Sequence, residues 1–464
     1  MSRLQTHFVC QSCGYESPRW LGRCHACGEY GTLVEEVVAH KEDAQSRPPP
    51  GPPRVLPLSS IERSGIERMQ SGNGTDNSLG DEFDRVVGGG LVPGSVLLLG
   101  GEPGIGKSTL LLQLLAALAS RDIPTLYVSG EESPDQVGLR AARLGCATDK
   151  LFVAGETGLD SVQAAFQACS PRVAVIDSIQ TISNPDLASA AGTIGQIRES
   201  TAAFVRLAKE TGTAILLVGH VTKDGMLAGP KAVEHMVDCV LTFEGDPHHA
   251  FRILRAAKNR FGGTHEAGIF EMHSDGLAPV VNPSQLFLEN SGSLGSGVSG
   301  ICVTACMEGT RPLLAEVQAL VTSSYFGTPR RVTTGVDYNR CCVILAVLEK
   351  RLGLHLGAQD IHVNVVGGLR LTEPAADLAV AMSCASSFRD QPLSEGTVCF
   401  GEVGLAGEIR GVPHASRRAE EAARLGFSRC ILPRSSEKIR HGDMECLSVK
   451  TLQEAIQLGL SEGI

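Results

Sequence analysis

The sequence predicts an α/β protein built around a phosphate-binding loop. From about residue 94, short β-branched or leucine runs alternate with helical stretches, the pattern of βαβ units feeding a mostly parallel sheet. The first run leads into a Gly-x4-Gly-Lys-Ser loop that opens a helix. Gly is abundant at 53 residues and aromatics are scarce at 4%, which favours tight, phosphate-type loops over an aromatic-rich β-sandwich.

At 464 residues the chain is too long for one ordinary core, so two or three domains are expected. A composition of 42% hydrophobic and 20% charged residues is that of a soluble globular protein. The net charge of −10 excludes a uniformly basic coat but not a local nucleic-acid surface, since binding follows a patch and not a sum. The richest apolar stretch, 110–119, is too short to span a bilayer, and no basic segment followed by an apolar run opens the chain. A reducing, cytoplasmic setting is therefore expected, in which the 15 cysteines are not a disulfide framework.

The first element is residues 1–34. Cys10-x2-Cys13 and Cys24-x2-Cys27 each end in a glycine, Gly14 and Gly28. Two such pairs present four thiolates from two tight turns, which suits tetrahedral Zn(II) with every position filled by protein: a structural site. The competing reading is a pair of redox or disulfide motifs. The other eleven cysteines lack this spacing and read as small buried apolar residues. Residues 35–80, proline-dense at 48–53 and polar at 71–80, read as a linker.

The second element is the phosphate machine. Predicted strands run Val96–Gly100, Leu126–Ser129, Val173–Asp177, Ala214–Gly219, Val237–Phe243 and Ile253–Ala257. The loop Gly101-Glu102-Pro103-Gly104-Ile105-Gly106-Lys107-Ser108 would surround phosphate oxygens with backbone N–H groups at a helix amino terminus. Lys107 would reach the β and γ phosphates of ATP. Ser108 would place its hydroxyl on Mg(II), with Thr109 a weaker contributor. Asp177, ending an apolar strand, suits a carboxylate beside Mg(II). Glu131 and Glu132 end another strand and are candidates to orient or deprotonate an attacking water; a solvated acidic turn is the alternative. His220, at a third strand end, is either a γ-phosphate sensor or an ordinary strand-end histidine. Residues 222–231 are glycine-punctuated, and Lys223 and Lys231 make them a candidate loop facing a polymeric anion. Lys258-Asn259-Arg260-Phe261-Gly262 puts two cations around an amide, which is either a basic turn or chemistry aimed at an anion.

The two CxxC pairs, "GGEPGIGKSTLLLQ", "VSGEES", "VIDSIQT", "GHVTKDG" and "KNRFG", in that order, resemble the bacterial RadA (Sms) family of DNA repair proteins over essentially the whole chain. The resemblance implies a RecA-like P-loop ATPase domain over 81–290, similar also to hexameric DnaB-type motors. It implies DNA-dependent ATP hydrolysis, branch migration alongside the RecA recombinase, and homohexameric rings around single-stranded or branched DNA. Lys107 and Ser108 would then serve ATP and Mg(II), Glu131 or Glu132 water activation, and Lys258 and Arg260 the nucleotide of the adjacent subunit. Asn259 would orient those cations or touch DNA.

The last element, 296–464 beyond a Gly/Ser break, resembles a Lon protease domain. Where that family has its nucleophilic serine, this chain has Ala375, in Glu373-Pro374-Ala375-Ala376-Asp377. Where it has its lysine base, 407–427 offers Ser416, Arg417 and Arg418, and arginine stays protonated at ordinary pH. The domain is therefore expected to be non-proteolytic, with Arg330, Arg331 and Arg340 as candidates for a DNA-facing surface or simply a solvated basic face. Two other function classes stay open: an ATP-dependent peptidase or remodeller, and a KaiC-like signalling ATPase, which leaves the cysteine pairs and KNRFG unexplained.

Overall fold

A computed structural model describes residues 5–10, 15–26, 28–38, 67–74, 78–187, 189–220, 231–245, 251–280, 282–284, 288, 297–324, 328–434, 439 and 442–460. The chain divides into two compact units, Met1–Pro279 and Val280–Ile464.

In the first unit, strands β1 (Gln5–Cys10), β2 (Glu16–Ser17) and β3 (Leu33–Val38) form a small antiparallel sheet in the order β2-β1-β3. Its buried cluster among the described residues is Cys10, Cys24 and Leu33, too small a core to hold a fold by itself.

The large sheet begins after helix α1 (Leu79–Val87), which Ser78 and Asp81 cap reciprocally. Its strands are β4 (Val96–Gly101), β5 (Thr125–Ser129), β6 (Leu151–Ala154), β7 (Val173–Asp177), β8 (Ala214–His220), β9 (Cys239–Glu244), β10 (Phe251–Asn259), β11 (Ala267–His273) and β12 (Gly276–Pro279). They lie in the order β12-β11-β10-β9-β4-β8-β7-β5-β6. From β9 through β6 the pairings are parallel; β9 to β12 is an antiparallel meander.

Strand alternation builds two cores from one sheet. On β4, Leu97 and Leu99 join a cluster with helix α2 (Lys107–Ala119), while Val96 and Leu98 join a second cluster on the other face with Phe166 and Phe204. β7 and β8 split the same way, Val175 and Leu216 to one side, Ile176 and Leu217 to the other. Strands buried on both faces read as continuous apolar runs, as β4, β5 and β7 do; the six runs named from the sequence are all strands, β10 with alternating burial. β6, β11 and β12 escape that signal. β6 is only four residues long and half-exposed, β11 mixes polar and apolar residues, and β12 is a four-residue strand that opens on a glycine and ends on a proline.

In the second unit, β13 (Ile301–Glu308), β14 (Arg311–Ser323), β15 (Arg331–Thr334), β16 (Gln359–Val365), β17 (Thr397–Cys399), β20 (Arg429–Pro433) and β21 (Glu445–Val449) form a mixed sheet in the order β15-β16-β14-β13-β17-β20-β21. The pair β18 (Glu402–Val403) and β19 (Ile409–Arg410) stands apart from it. The helix Asp377–Arg389 packs on β13 and β14, and its buried Ala379, Ala381 and Ala385 allow close approach. Ser284 donates to Glu421 and Leu288 joins this unit's core, so packing here starts ahead of the Gly/Ser run.

Candidate functional site

The loop after β4 turns through Gly104 at φ 77° and Gly106 at φ 113°, backbone that side chains rarely adopt. A Cβ on Gly101 would lie 2.6 Å from the Phe243 carbonyl, and one on Gly106 2.6 Å from the Met272 methyl. Gly104 by contrast has nothing within 4 Å, so the loop's outer side is open space edged by backbone. Such a concave loop at the start of α2 fits a chain of phosphates.

Lys107, the first residue of α2, is buried, and its amine donates to the carbonyls of Gly101 at 2.8 Å and Glu102 at 2.9 Å. Burial pushes its pKa below the ordinary lysine range, while the charges of Asp177 and Glu131 work the other way. Ser108 donates to Asp177 Oδ2 at 2.6 Å. This joins β4's loop to the end of β7 across the intervening β8. Tyr127 on β5 also donates to Asp177, and burial with that neighbouring charge raises its pKa, holding it as a neutral donor. A hydroxyl and a carboxylate 2.6 Å apart beside the loop are oxygen donors of the kind Mg(II) accepts.

The paired glutamates differ. Glu131 accepts from Ser178 Oγ at 3.0 Å and lies close enough to Lys107 to influence its charge. Glu132 is ion-paired with Arg140, and its N–H donates to Ser129 Oγ at 2.9 Å. His220 ends β8 in register with Gly101, one strand over from the loop. Thr109 follows Ser108 in α2, half-buried. Glu102, Pro103 and Gly104 are exposed, whereas Ile105 is buried and fixes the loop from beneath.

Two participants escaped the sequence reading. Tyr127 sat inside an ordinary apolar strand. Arg252, buried on β10, donates from Nε to the Ile105 carbonyl at 3.0 Å and so braces the loop. Its only trace in the sequence is one cation in an alternating strand.

Lys258, Asn259 and Arg260 are not brought to this loop. β10 runs antiparallel to β9, so it starts beside the loop at Phe251 and ends at the opposite edge of the sheet, where Asn259 pairs with Cys239. There Lys258 Nζ donates to the carbonyls of Glu234 at 2.7 Å and Val237 at 2.8 Å. Arg260 is largely exposed and pairs with Asp238 at 3.1 Å. Asn259 donates to the Val87 carbonyl at 3.2 Å, and Arg68 donates to the Phe261 carbonyl at 2.7 Å, docking the turn on the end of α1.

Of the predicted zinc ligands, Cys10 and Cys24 are buried, while Cys13 and Cys27 lie outside the described residues. The Cys10 N–H donates to the Tyr15 carbonyl and the Cys24 N–H to the Glu29 carbonyl, the same five-residue closure at each pair. Equivalent turns with a buried thiol in each fit a four-cysteine metal site. Elsewhere, burial pushes the Cys239 and Cys341 thiols up to about 12, which leaves them little thiolate to react.

Among the DNA candidates, Lys223 lies outside the described residues and Lys231 opens a short helix, Lys231–Glu234. Arg330 donates its N–H to Asp360, and Arg331 spends its guanidinium on the carbonyls of Gln359 at 2.7 Å and Leu356 at 3.0 Å. Arg340 is bound to buried Asp377 through both ends of its guanidinium.

The serine-lysine position of the second unit is sealed. Ala375 is buried, and its carbonyl accepts from the Gly401 N–H at 2.8 Å. Arg418 is fully buried and holds both oxygens of Glu373 at 2.6 Å, with further bonds to the Ala305 and Pro413 carbonyls. Ala375 thus brings no hydroxyl to the serine position, and Arg418 brings a paired guanidinium where the lysine would stand.

Comparison with known proteins gives matches to an AAA domain over residues 69–226, a rubredoxin metal binding domain over 8–35, and subunit ChlI of Mg-chelatase over 339–436. The chain is 49% identical over 468 residues to the DNA repair protein RadA of Halalkalibacterium halodurans, covering 99% of this chain and 100% of that one. It is 48% identical over 466 residues to that of Bacillus subtilis, with 99% and 100% covered, and 49% identical over 462 residues to that of Listeria monocytogenes, with 98% of each covered. Among solved structures, the KaiC-like protein PH0186 of Pyrococcus horikoshii aligns at TM-score 0.37 and 20% identity, over 46% of this chain and 99% of that one. The fold class is the predicted one: an α/β protein with a RecA-like P-loop core, an amino-terminal zinc ribbon and a Lon-like carboxy-terminal domain. Among the described residues no helix is long and apolar enough to cross a membrane.

Proposed function

Because the chain belongs to the RadA family of DNA repair proteins, we propose that it is a DNA-stimulated ATPase that drives branch migration of recombination intermediates. The observation that carries the reading is the convergence of Lys107, Ser108, Asp177 and Glu131 on one glycine loop.

Bound Mg(II) would draw charge from the β and γ phosphates. The residues supply the rest. Loop N–H groups orient the phosphates, and Lys107 exchanges the Gly101 and Glu102 carbonyls for phosphate oxygens. Ser108 and Asp177 would hold the cation, with Tyr127 keeping Asp177 in place. Glu131, which accepts from Ser178 and sits beside Lys107, takes the proton of the attacking water, while Glu132 is ion-paired with Arg140. Lys258 and Arg260, at the far edge of the sheet, act in trans on a neighbour's nucleotide in a hexameric ring. A cation supplied this way is worth about 10³–10⁵ in rate. The 222–231 segment, through Lys223 and Lys231, and Asn259 contact single-stranded DNA, and the zinc ribbon engages the RecA recombinase. The second unit, closed as a peptidase, serves assembly and presents Arg330 and Arg331 toward DNA.

The test is ATP turnover measured with and without single-stranded and forked DNA, on particles whose mass is determined in the same buffer. We expect turnover to rise with DNA on a six-subunit particle. Turnover indifferent to DNA ends the motor reading, and ATP-dependent peptide release would restore the peptidase.

A further inference from the structure

The amino-terminal ends of the parallel strands, opposite the glycine loop, carry a cavity of about 560 Å³. Arg68, Arg121 and Arg172 line it, with one carboxylate, Glu67, and the apolar Met69 and Ile123. The placement follows from topology. Ile123 precedes β5, Arg172 precedes β7, and Met69 pairs with Leu91 ahead of β4, so parallel strands bring all three to one edge. In a chain of net charge −10, three guanidiniums to one carboxylate is a local reversal of sign.

The guanidiniums are unequally occupied. Arg68 donates to the Gly88 carbonyl and to Phe261 of the KNRFG turn. Arg121 spends one nitrogen on the Gln70 carbonyl at 2.6 Å. Arg172 is exposed, and its side chain has no partner among the described residues. Planar forks with free donors above an apolar floor suit a phosphate oxygen pair with a sugar beside it.

We propose that this cavity is a phosphate site that takes the backbone of a nucleic-acid strand, placing that strand against the KNRFG turn through Arg68. It rests on the DNA-binding part of the reading above and adds a contact at the edge away from the nucleotide.

The test uses the full chain and its Arg172→Gln and Arg121→Gln/Arg172→Gln variants. Affinity for a labelled oligothymidylate is measured against salt, with inorganic tripolyphosphate and polyglutamate titrated in parallel at saturating Mg-ADP. The double variant should bind more weakly and lose about 1.4 from the log–log salt slope, two contacts at about 0.7 each. Basal ATP turnover without DNA should be unchanged, and Arg121→Lys/Arg172→Lys should recover the slope. Wild-type binding whose affinity and slope both variants retain overturns the cavity and leaves the functional reading standing; a wild type that binds no strand overturns both. Variants that lose only tripolyphosphate assign the cavity to a free polyphosphate, and loss only of polyglutamate assigns it to an acidic peptide. Either result defeats the backbone assignment.

Discussion

Two buried cations, one in each compact unit, show what separates a working site from a closed one. Lys107 is held by two backbone carbonyls, neutral partners that a phosphate can displace. Arg418 is held by two carbonyls as well, but also by both oxygens of a carboxylate, so a ligand would have to displace a matched charge. Burial acts on both. For Lys107 it lowers the pKa, against the opposing pull of the Asp177 and Glu131 charges. For Arg418 the charge is already matched inside the protein. The same device, a cation drawn out of water, serves chemistry in one unit and architecture in the other.

The largest effect should come from unbalancing the closed pair. Arg418→Met strands Glu373, and we expect a loss of about 3–5 kcal/mol in urea unfolding of the second unit. The double change Arg418→Met/Glu373→Leu should recover most of it. Equal losses for the single and double variants would mean that the pair is not the source. Next, Lys107→Ala should cut ATP turnover by about 10²–10³ while leaving the unfolding midpoint at or above that of the wild type, because a desolvated charge is removed. A destabilised Lys107→Ala protein would make Lys107 another Arg418.

The KNRFG cations sharpen the contrast. Lys258, bonded to two carbonyls, should cost about 1.5–3 kcal/mol of stability as Lys258→Ala. Exposed Arg260 should cost under about 1 kcal/mol as Arg260→Ala yet still depress turnover of the assembled protein. Mixed with Lys107→Ala subunits, Arg260→Ala should complement in part; mixtures that only add their separate activities rule out action in trans.

The smallest effect is a pH dependence. The folded state binds the Lys107 proton less tightly than the unfolded chain does, since burial lowers its pKa from 10.5. As pH rises toward 10.5 the unfolded state therefore holds more protons, and wild type should gain stability relative to Lys107→Met. Nucleotide affinity should fall over the same window. Arg418 stays charged there, so Arg418→Met should show no such trend.

Much of this was legible in the sequence because it is local. A glycine loop between a run and a helix, two CxxC pairs, and strands buried on both faces declare themselves within a few residues. Local pattern also gave Glu131 and Glu132 as equals, and Arg418 only as one of three candidates for a missing lysine. Tyr127 and Arg252 gave no signal, because what makes them part of the site is a partner far along the chain: Asp177 for one, Ile105 for the other.

The sequence by itself determined the covalent inventory: which residue types exist to bind phosphate, and that Ala375 fills the Lon-like serine position while Ser416, Arg417 and Arg418 fall where its lysine would be. Tertiary structure alone decided how that inventory is spent. Parallel strands gather loop, acid and glutamate at one edge, and β10, running the other way, carries KNRFG to the opposite one. The physical reason is that a charge's role depends on its compensation. Compensation comes from groups within a few ångströms in space, which for Lys107 include its own loop with Asp177 and Glu131 nearby, and for Arg418 a glutamate forty-five residues away.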